Sequence, residues 1–154
     1  MKKFLASVAM MVATFSFARC DTPVSACDNG ISLPSLIQVN NCESSPCELV
    51  QGTTTSLNVT FIAQDYIEGL KPEVIAYALG AEVNYPLSET DGCNSLINIR
   101  CPIDAGELVR YNLQMPILSI YPTISLRMKF TIYNENENGL TCFVIDARVV
   151  SPSN

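Results

Sequence analysis

The stretch Thr123-Ile-Ser-Leu-Arg-Met-Lys-Phe-Thr-Ile-Tyr133 decides the fold class, because apolar and polar residues alternate along its whole length. Its even-numbered residues, from Ile124 to Ile132, are all apolar, whereas the odd-numbered residues are polar or charged. A period of two indicates a β-strand with one face in the core and the other in water. Residues 134–139 then predict a turn, and residues 140–150 predict the partner strand of a hairpin.

The same pattern appears elsewhere along the chain. Residues 56–63 alternate as well, and the members of their apolar face are Leu57, Val59, Phe61 and Ala63. Further strands are predicted at residues 33–39, 74–79, 81–85 and 108–114. Prolines fall at the edges of these runs, and no long stretch has the 3.6-residue period of a helix. The chain is therefore predicted to be all-β, an Ig-like two-sheet antiparallel β-sandwich of about seven strands.

The N-terminus has the features of an export signal. Lys2 and Lys3 precede an apolar run of 14 residues, 4–17, and small residues follow at Ala18 and Cys20. This run is too short to span a membrane. We therefore predict a signal peptide at 1–20 and one secreted domain at 21–154, with cleavage after Ala18 as the alternative. A bacterial lipoprotein signal is disfavoured because a small residue is required where Arg19 stands.

Cysteine usage is typical of an oxidising compartment. After removal of residues 1–20, six cysteines remain, and six cysteines allow 15 disulfide connectivities. Four residues separate Cys42 from Cys47 and seven separate Cys93 from Cys101, so both pairs are easy to close locally. Such closure would leave Cys27 and Cys142 to join the two ends of the domain. A metal site is not expected, because the sequence has neither a Cys-x-x-Cys pair nor a histidine.

Composition argues against several classes of function. The chain has no histidine, which excludes Ser-His-Asp and Cys-His nucleophile activation. Its net charge of -6 gives no basic surface for nucleic acid. Glu135 and Glu137 could be imagined as a general acid and base, but they lie in the predicted turn and are interpreted as solvated residues. We expect no enzyme activity, no catalytic residue and no cofactor.

One sequence motif predicts a modification. Asn58-Val59-Thr60 is the only Asn-x-Ser/Thr sequon, and Asn58 lies on the polar face of its predicted strand. In a secreted protein this is a candidate N-glycosylation site, with an unmodified surface asparagine as the alternative.

A series of short motifs follows one another between residues 27 and 151. In chain order they are Asn41-Cys42, Ser45-Pro46-Cys47-Glu48-Leu49, Gly52, Asn58-Val59-Thr60-Phe61, Asp91-Gly92-Cys93, Cys101-Pro102-Ile103, Met115-Pro116-Ile117, Tyr121-Pro122 and Cys142. Each motif alone is common, but their combined order resembles that of the ML-domain lipid-recognition family, and in particular its Niemann-Pick type C-two sterol carriers.

The resemblance implies a fold and a function. Members of this family are secreted seven-stranded Ig-like sandwiches, with disulfides that here would join Cys27 to Cys142, Cys42 to Cys47 and Cys93 to Cys101. The implied function is that of a monomeric carrier, extracellular or in the lysosomal lumen, that binds a sterol or fatty acid between the sheets. It would hand this lipid to a membrane or a membrane-protein receptor. The alternative is a module that presents lipids to an innate-immune or chemosensory receptor.

The resemblance also implies site residues. Tyr85 matches an aromatic gate, and Ile117 and Tyr121, beside Pro116 and Pro122, match residues at the mouth of the lipid cavity. The matching wall positions are Val83, Tyr111, Phe130, Phe143 and Ile145. Phe130 and Phe143 replace tryptophans of vertebrate members, which keeps the wall apolar but changes its volume. The alternative interpretation of each inward aromatic is plain core packing.

Overall fold

The computed structural model describes residues 21–153 and contains nine strands and one short 3₁₀ helix. The strands are β1 (Ser25–Ala26), β2 (Leu36–Val39), β3 (Cys47–Val50), β4 (Thr54–Ile62), β5 (Leu70–Ala78), β6 (Ala81–Asn84), β7 (Leu108–Pro116), β8 (Ser125–Asn134) and β9 (Gly139–Val150). The 3₁₀ helix is Gly92–Ser95. The predicted all-β class is confirmed.

The strands form two sheets that face each other. The larger sheet has the order β1-β9-β8-β5-β6, and the smaller has the order β2-β4-β7. The predicted hairpin is the centre of the larger sheet, where Phe130 of β8 lies opposite Phe143 of β9. On the side away from β8, two short strands pair with β9. β1 pairs with Phe143 and Val144, and β3 pairs with Ala147–Val150. The β3–β9 pair is parallel, whereas the other named strand pairs among the described residues are antiparallel.

All seven predicted strands are present, and β1 and β3 are additions. Each addition has at most four residues, which is too short for an alternation to be recognised. The strand predicted at 74–79 begins earlier, at Leu70, and thus includes Pro72. This proline is tolerated because β6 pairs only with Ile75–Ala78, so Pro72 has a neighbouring strand on one side only.

The core lies between the sheets and uses the predicted apolar faces. The inward residues Leu57, Val59 and Phe61 of β4 are buried, as are Met128 and Phe130 of β8. Burying these faces is the main stabilising term of such a sandwich, at about 25 cal/mol per Å² of apolar surface.

One residue of the predicted polar face departs from the pattern. Thr131 is buried, and its hydroxyl lies 3.2 Å from Sγ of Cys142, which is joined to Cys27 of the segment preceding β2. The backbone carbonyl of Ser32 accepts hydrogen bonds from the Cys142 amide and the Thr141 hydroxyl, both at 3.0 Å. The Cys27–Cys142 disulfide fixes this segment in place. The three disulfides join the pairs that the resemblance implied, so that connectivity is confirmed.

The 3₁₀ helix closes the open side of the sandwich, since it contacts both β5 and β7. Gly92 allows this approach: a Cβ on Gly92 would lie 2.7 Å from Leu70 Cβ and 3.0 Å from the Leu70 carbonyl oxygen. We expect Gly92→Ala to lower the free energy of unfolding by about 1–3 kcal/mol, because the overlap involves backbone that cannot move aside. Urea unfolding measures this loss.

Gly69→Ala is the matched control for this substitution. A Cβ on Gly69 would meet its nearest neighbour, Glu135 Cβ, at an ordinary 3.6 Å. A loss at Gly92 no larger than that at Gly69 would show that the packing of the helix against Leu70 is loose.

Candidate ligand site between the sheets

Two small apolar cavities lie between the sheets and are separated by Leu57 and Phe130, which line both. The first, here called the mouth-side cavity, is also lined by Val39, Cys47, Leu49, Thr55, Met115, Met128, Ile145 and Ala147. The second, the inner cavity, is also lined by Val59, Pro72, Glu73, Val74, Tyr111, Leu113, Thr131, Ile132 and Phe143. Each has a volume of about 10 Å³, which is room for about one water molecule.

Four of the five predicted wall residues lie on these cavities. Tyr111 and Phe143 line the inner cavity, Ile145 lines the mouth-side cavity, and Phe130 lies between them. The rings of Phe130 and Phe143 stack with their centroids 5.0 Å apart and their planes 7° from parallel. These four side chains are buried and belong to one apolar core.

Val83 is the exception, because it lines neither cavity. Its partner Ala76 also pairs with buried Met128, so Val83 lies on the inward face of the larger sheet. Its side chain is nevertheless 58% exposed. The reason is that the three-stranded sheet is narrower than the larger sheet and does not cover β6.

The predicted mouth residues meet at one end of the sandwich. The Tyr85 hydroxyl donates a hydrogen bond of 2.7 Å to the carbonyl of Pro116, the last residue of β7. The next residue, Ile117, is buried, and its amide donates to the Thr53 carbonyl at 2.8 Å. Tyr121 is half-buried, and its carbonyl accepts a hydrogen bond from the Gln51 side chain. Pro116 itself is exposed, and none of these residues lines either cavity.

Burial shifts the ionisation of Tyr85, the residue predicted to be a gate. Desolvation, with a smaller contribution from nearby Tyr121, raises the pKa of Tyr85 to about 12. Tyr85 therefore stays protonated, and donates to Pro116, throughout the physiological range. The hydroxyl ties the segment after β6 to the end of β7, so that it bridges the two sheets at their edge.

Two exposed apolar residues that the sequence did not single out lie beside this mouth. Ile120 is 84% exposed and Leu118 is 46% exposed, and both lie in the loop that follows β7. Their position between Pro116 and Pro122 is a signal that could have been used, because turn residues between two prolines are usually polar. The same loop leads into Tyr121, which is half-buried.

Tyr111 carries a buried hydroxyl beside the 3₁₀ helix. Its side chain is 1% exposed. Desolvation raises the pKa of Tyr111 to about 12; a side-chain hydrogen bond with Ser95, at the end of that helix, opposes the shift, and the negative charge of Glu89 adds to it.

The candidate glycosylation site lies away from the mouth and the cavities. Asn58 is half-buried on the outer face of β4, where its Oδ1 accepts a 2.7 Å hydrogen bond from Asn112 Nδ2. The predicted signal peptide, residues 1–20, lies outside the described residues.

The two turn carboxylates have structural contacts. The Glu135 carboxylate accepts hydrogen bonds from its own backbone amide and from the amides of Gly69 and Glu68, and these bonds lower its pKa. Glu137 forms an ion pair of 3.0 Å with Lys71. Both residues thus hold the β8–β9 turn against the start of β5.

Between residues 21 and 153 no helix is long and apolar enough to cross a membrane, and no three His, Cys, Asp or Glu side chains group as metal ligands.

Comparisons of the sequence with family models and with known proteins agree on one family. The family model described as the ML domain matches residues 21–149. The protein named NPC intracellular cholesterol transporter 2 from Sus scrofa is 31% identical over 150 residues, which cover 96% of this chain and 99% of that protein.

Two solved structures share the fold. A Niemann-Pick type C2 protein from the Japanese carpenter ant superposes with a TM-score of 0.74 at 17% identity, covering 83% of this chain and 99% of that one. Chicken MD-1, solved in complex with lipid IVa, superposes with a TM-score of 0.52 at 17% identity, covering 80% and 85%.

Proposed function

Because the chain belongs to the ML-domain family, we propose that it is a secreted carrier that binds one sterol or fatty acid between its sheets and releases it unchanged. The observation that carries the proposal is the apolar interior bounded by Tyr111, Phe130, Phe143 and Ile145. The name of the Sus scrofa relative, a cholesterol transporter, supports the same class of ligand.

The ligand must open the interior in order to enter it. Pockets for small molecules usually have volumes of about 300–1,000 Å³, whereas these two cavities have about 10 Å³ each. Binding therefore requires the sheets to separate or the side chains between them to change rotamer. The cost of that opening would be offset by burial of ligand surface, at about 25 cal/mol per Å².

The composition of the mouth-side cavity suits such a change. Met115 from the smaller sheet and Met128 from the larger one lie on opposite walls. Methionine is unbranched and adapts its shape to a new neighbour at low cost. Leu57 and Phe130, which separate the two cavities, would have to move for the cavities to join into one.

An extraction and transfer assay tests the proposal directly. The protein is incubated with donor vesicles that contain labelled cholesterol or labelled oleate, separated, and mixed with acceptor vesicles. We expect saturable extraction of at least one probe and its chemically unchanged delivery. If neither probe is extracted, the proposed function is wrong. If a covalently altered product appears, the expectation that the protein has no enzyme activity is wrong.

Tyr121→Ala tests the position of the mouth. Tyr121 is half-buried at the end of the core, beside Tyr85. We expect the Kd of the extracted probe to rise about 5- to 30-fold, as for other contact residues of a binding site. The free energy of unfolding should fall by no more than about 1 kcal/mol, because the residue is only half-buried. Fluorescent-lipid titration and urea unfolding provide the two measurements.

Tyr66→Ala is the matched control. Tyr66 is 51% exposed, and its neighbour Ile67 pairs with Ile103 near the Ile62–Leu108 end of β4 and β7, opposite the Thr54–Pro116 end. Its loss should leave the Kd unchanged. A large loss of stability in Tyr121→Ala, with an unchanged Kd, would instead make Tyr121 a core residue.

The remaining parts of the proposal concern the form of the protein. We propose a monomer that is exported by residues 1–20, resides outside the cell or in the lysosomal lumen, and carries a glycan on Asn58. Intact-mass measurement of the secreted protein reads the first residue and the glycan together. Loss of mass on treatment with an N-glycan-cleaving amidase is the expected result for Asn58.

A further inference from the structure

We propose that the hydrogen bond from the Tyr85 hydroxyl to the Pro116 carbonyl is a latch, which breaks when a lipid enters or leaves the sandwich and re-forms over the bound lipid. The latch sets the rate at which the carrier takes up and releases its lipid, and has little effect on affinity. This inference rests on the proposed function, since it concerns ligand entry into the same site. It starts from the 2.7 Å bond between the two residues.

The donor and the acceptor of this bond are fixed to different sheets. The Tyr85 amide donates to the Val74 carbonyl at 2.9 Å, so Tyr85 continues the pairing of β6 with β5 in the larger sheet. Pro116 pairs with Thr54 of β4 in the smaller sheet. A movement that separates the two sheets at this end therefore pulls the hydroxyl away from the carbonyl.

The latch stands alone at this end of the sandwich. Within residues 21–153, no other hydrogen bond joins residues 70–85 to β7. Farther from the mouth, the 3₁₀ helix contacts both β5 and β7, and the pairing of Leu96 with Tyr111 holds the end of the helix beside β7. Opening at the mouth therefore breaks one hydrogen bond between the sheets, whereas opening at the helix would also displace this packing.

A bound lipid does not take the place of the latch. Neither Tyr85 nor Pro116 lines the mouth-side cavity or the inner cavity, and Pro116 is exposed at the surface. A lipid that fills the joined cavities lies inside the bond, which can close again behind it. The pKa of Tyr85, raised to about 12 by burial, keeps the hydroxyl a donor at physiological pH.

Tyr85→Phe removes the latch and leaves the aromatic ring in place. One net hydrogen bond corresponds to a factor of about 2 to 10 in a rate constant. We therefore expect the association and dissociation rate constants of the lipid both to rise about 2- to 10-fold. The Kd should change less than about 2-fold, because the bond is present in the free and in the loaded protein and is absent only during opening.

Stopped-flow fluorescence measures both rate constants. The probes are dehydroergosterol, presented in cyclodextrin, and cis-parinarate, and the rate constants are compared for the probe that the wild type binds. Wild type and variant are mixed with the same probe and cyclodextrin concentrations, so that the ratio of their rate constants reports the loss of the hydroxyl.

Tyr133→Phe is the control for loss of a tyrosine hydroxyl. The Tyr133 hydroxyl donates to Glu73, and this bond joins β8 to β5 within the larger sheet, so its removal should leave both rate constants unchanged.

Three results would contradict the proposal. Unchanged rate constants in Tyr85→Phe overturn the latch alone. A rise of the association rate constant by itself, with a lower Kd, also overturns it, because the bond would then not re-form over the lipid. Failure of the wild type to bind either probe overturns the proposed function, and this inference with it.

Discussion

Replacement of both Cys27 and Cys142 by alanine is expected to lower the free energy of unfolding by about 5 kcal/mol, because this disulfide restricts the unfolded chain over a loop with a sequence separation of 115. The corresponding fall in Tm is about 15–20 °C. Urea and thermal unfolding of the double variant measure the effect. Loss of the disulfide also frees the segment before β2. Hydrogen exchange of the backbone amide at position 142, which donates to the Ser32 carbonyl, should therefore become faster in the variant.

The Cys42–Cys47 pair is the internal control. Its sequence separation is only 5, so the same chain-entropy argument predicts a loss of about 2 kcal/mol. Cys42 and Cys47 are also buried, which matches the two double variants for the volume removed. Equal losses in the two variants would show that loop length does not set the contribution of these disulfides.

Phe143→Ala is expected to lower the free energy of unfolding by about 4 kcal/mol. Phe143 is 1% exposed and stacks on Phe130, so the substitution removes a large buried surface and leaves a void in the centre of the sandwich. The void adjoins the inner cavity, which Phe143 already lines. Added ligand should therefore raise the Tm of the variant, because binding fills the space.

Two further substitutions define the origin of this loss. The double variant with Phe130→Ala should be less destabilised than the sum of the single variants by about 0.5–1.5 kcal/mol, the value of the ring pair. Tyr77→Ala removes a half-buried aromatic whose ring lies 5.9 Å from Lys129 Nζ, and should cost less than about 1 kcal/mol. A small effect of Phe143→Ala would contradict its placement in the core.

Strand assignments were accessible from sequence wherever the apolar alternation was long. The hairpin of β8 and β9 has more than nine residues in each strand, and Met128, Phe130 and Ile132 of the apolar face predicted for β8 are buried. In contrast, β3 shows only four residues and pairs in parallel with β9, a strand about 100 positions later along the chain. No local pattern identifies such a distant partner.

The residues of the candidate site also differ in how far the sequence predicted their position. Tyr111, Phe130, Phe143 and Ile145 were placed on the cavity by resemblance to a family, and the structure puts all four on its walls. Val83 has the same apolar character but is exposed. The difference comes from the width of the opposite sheet, which is a property of the assembled sandwich and not of the residues around position 83.

The sequence by itself determined the fold class, the strand faces and the absence of imidazole chemistry, because residue type and a period of two are properties of the local chain. Only the tertiary structure decided that the interior is closed to about 10 Å³ per cavity and that the Tyr111 hydroxyl is buried beside Ser95. Cavity volume and hydrogen-bond pairing depend on which side chains meet across the two sheets, and those meetings join residues far apart in sequence.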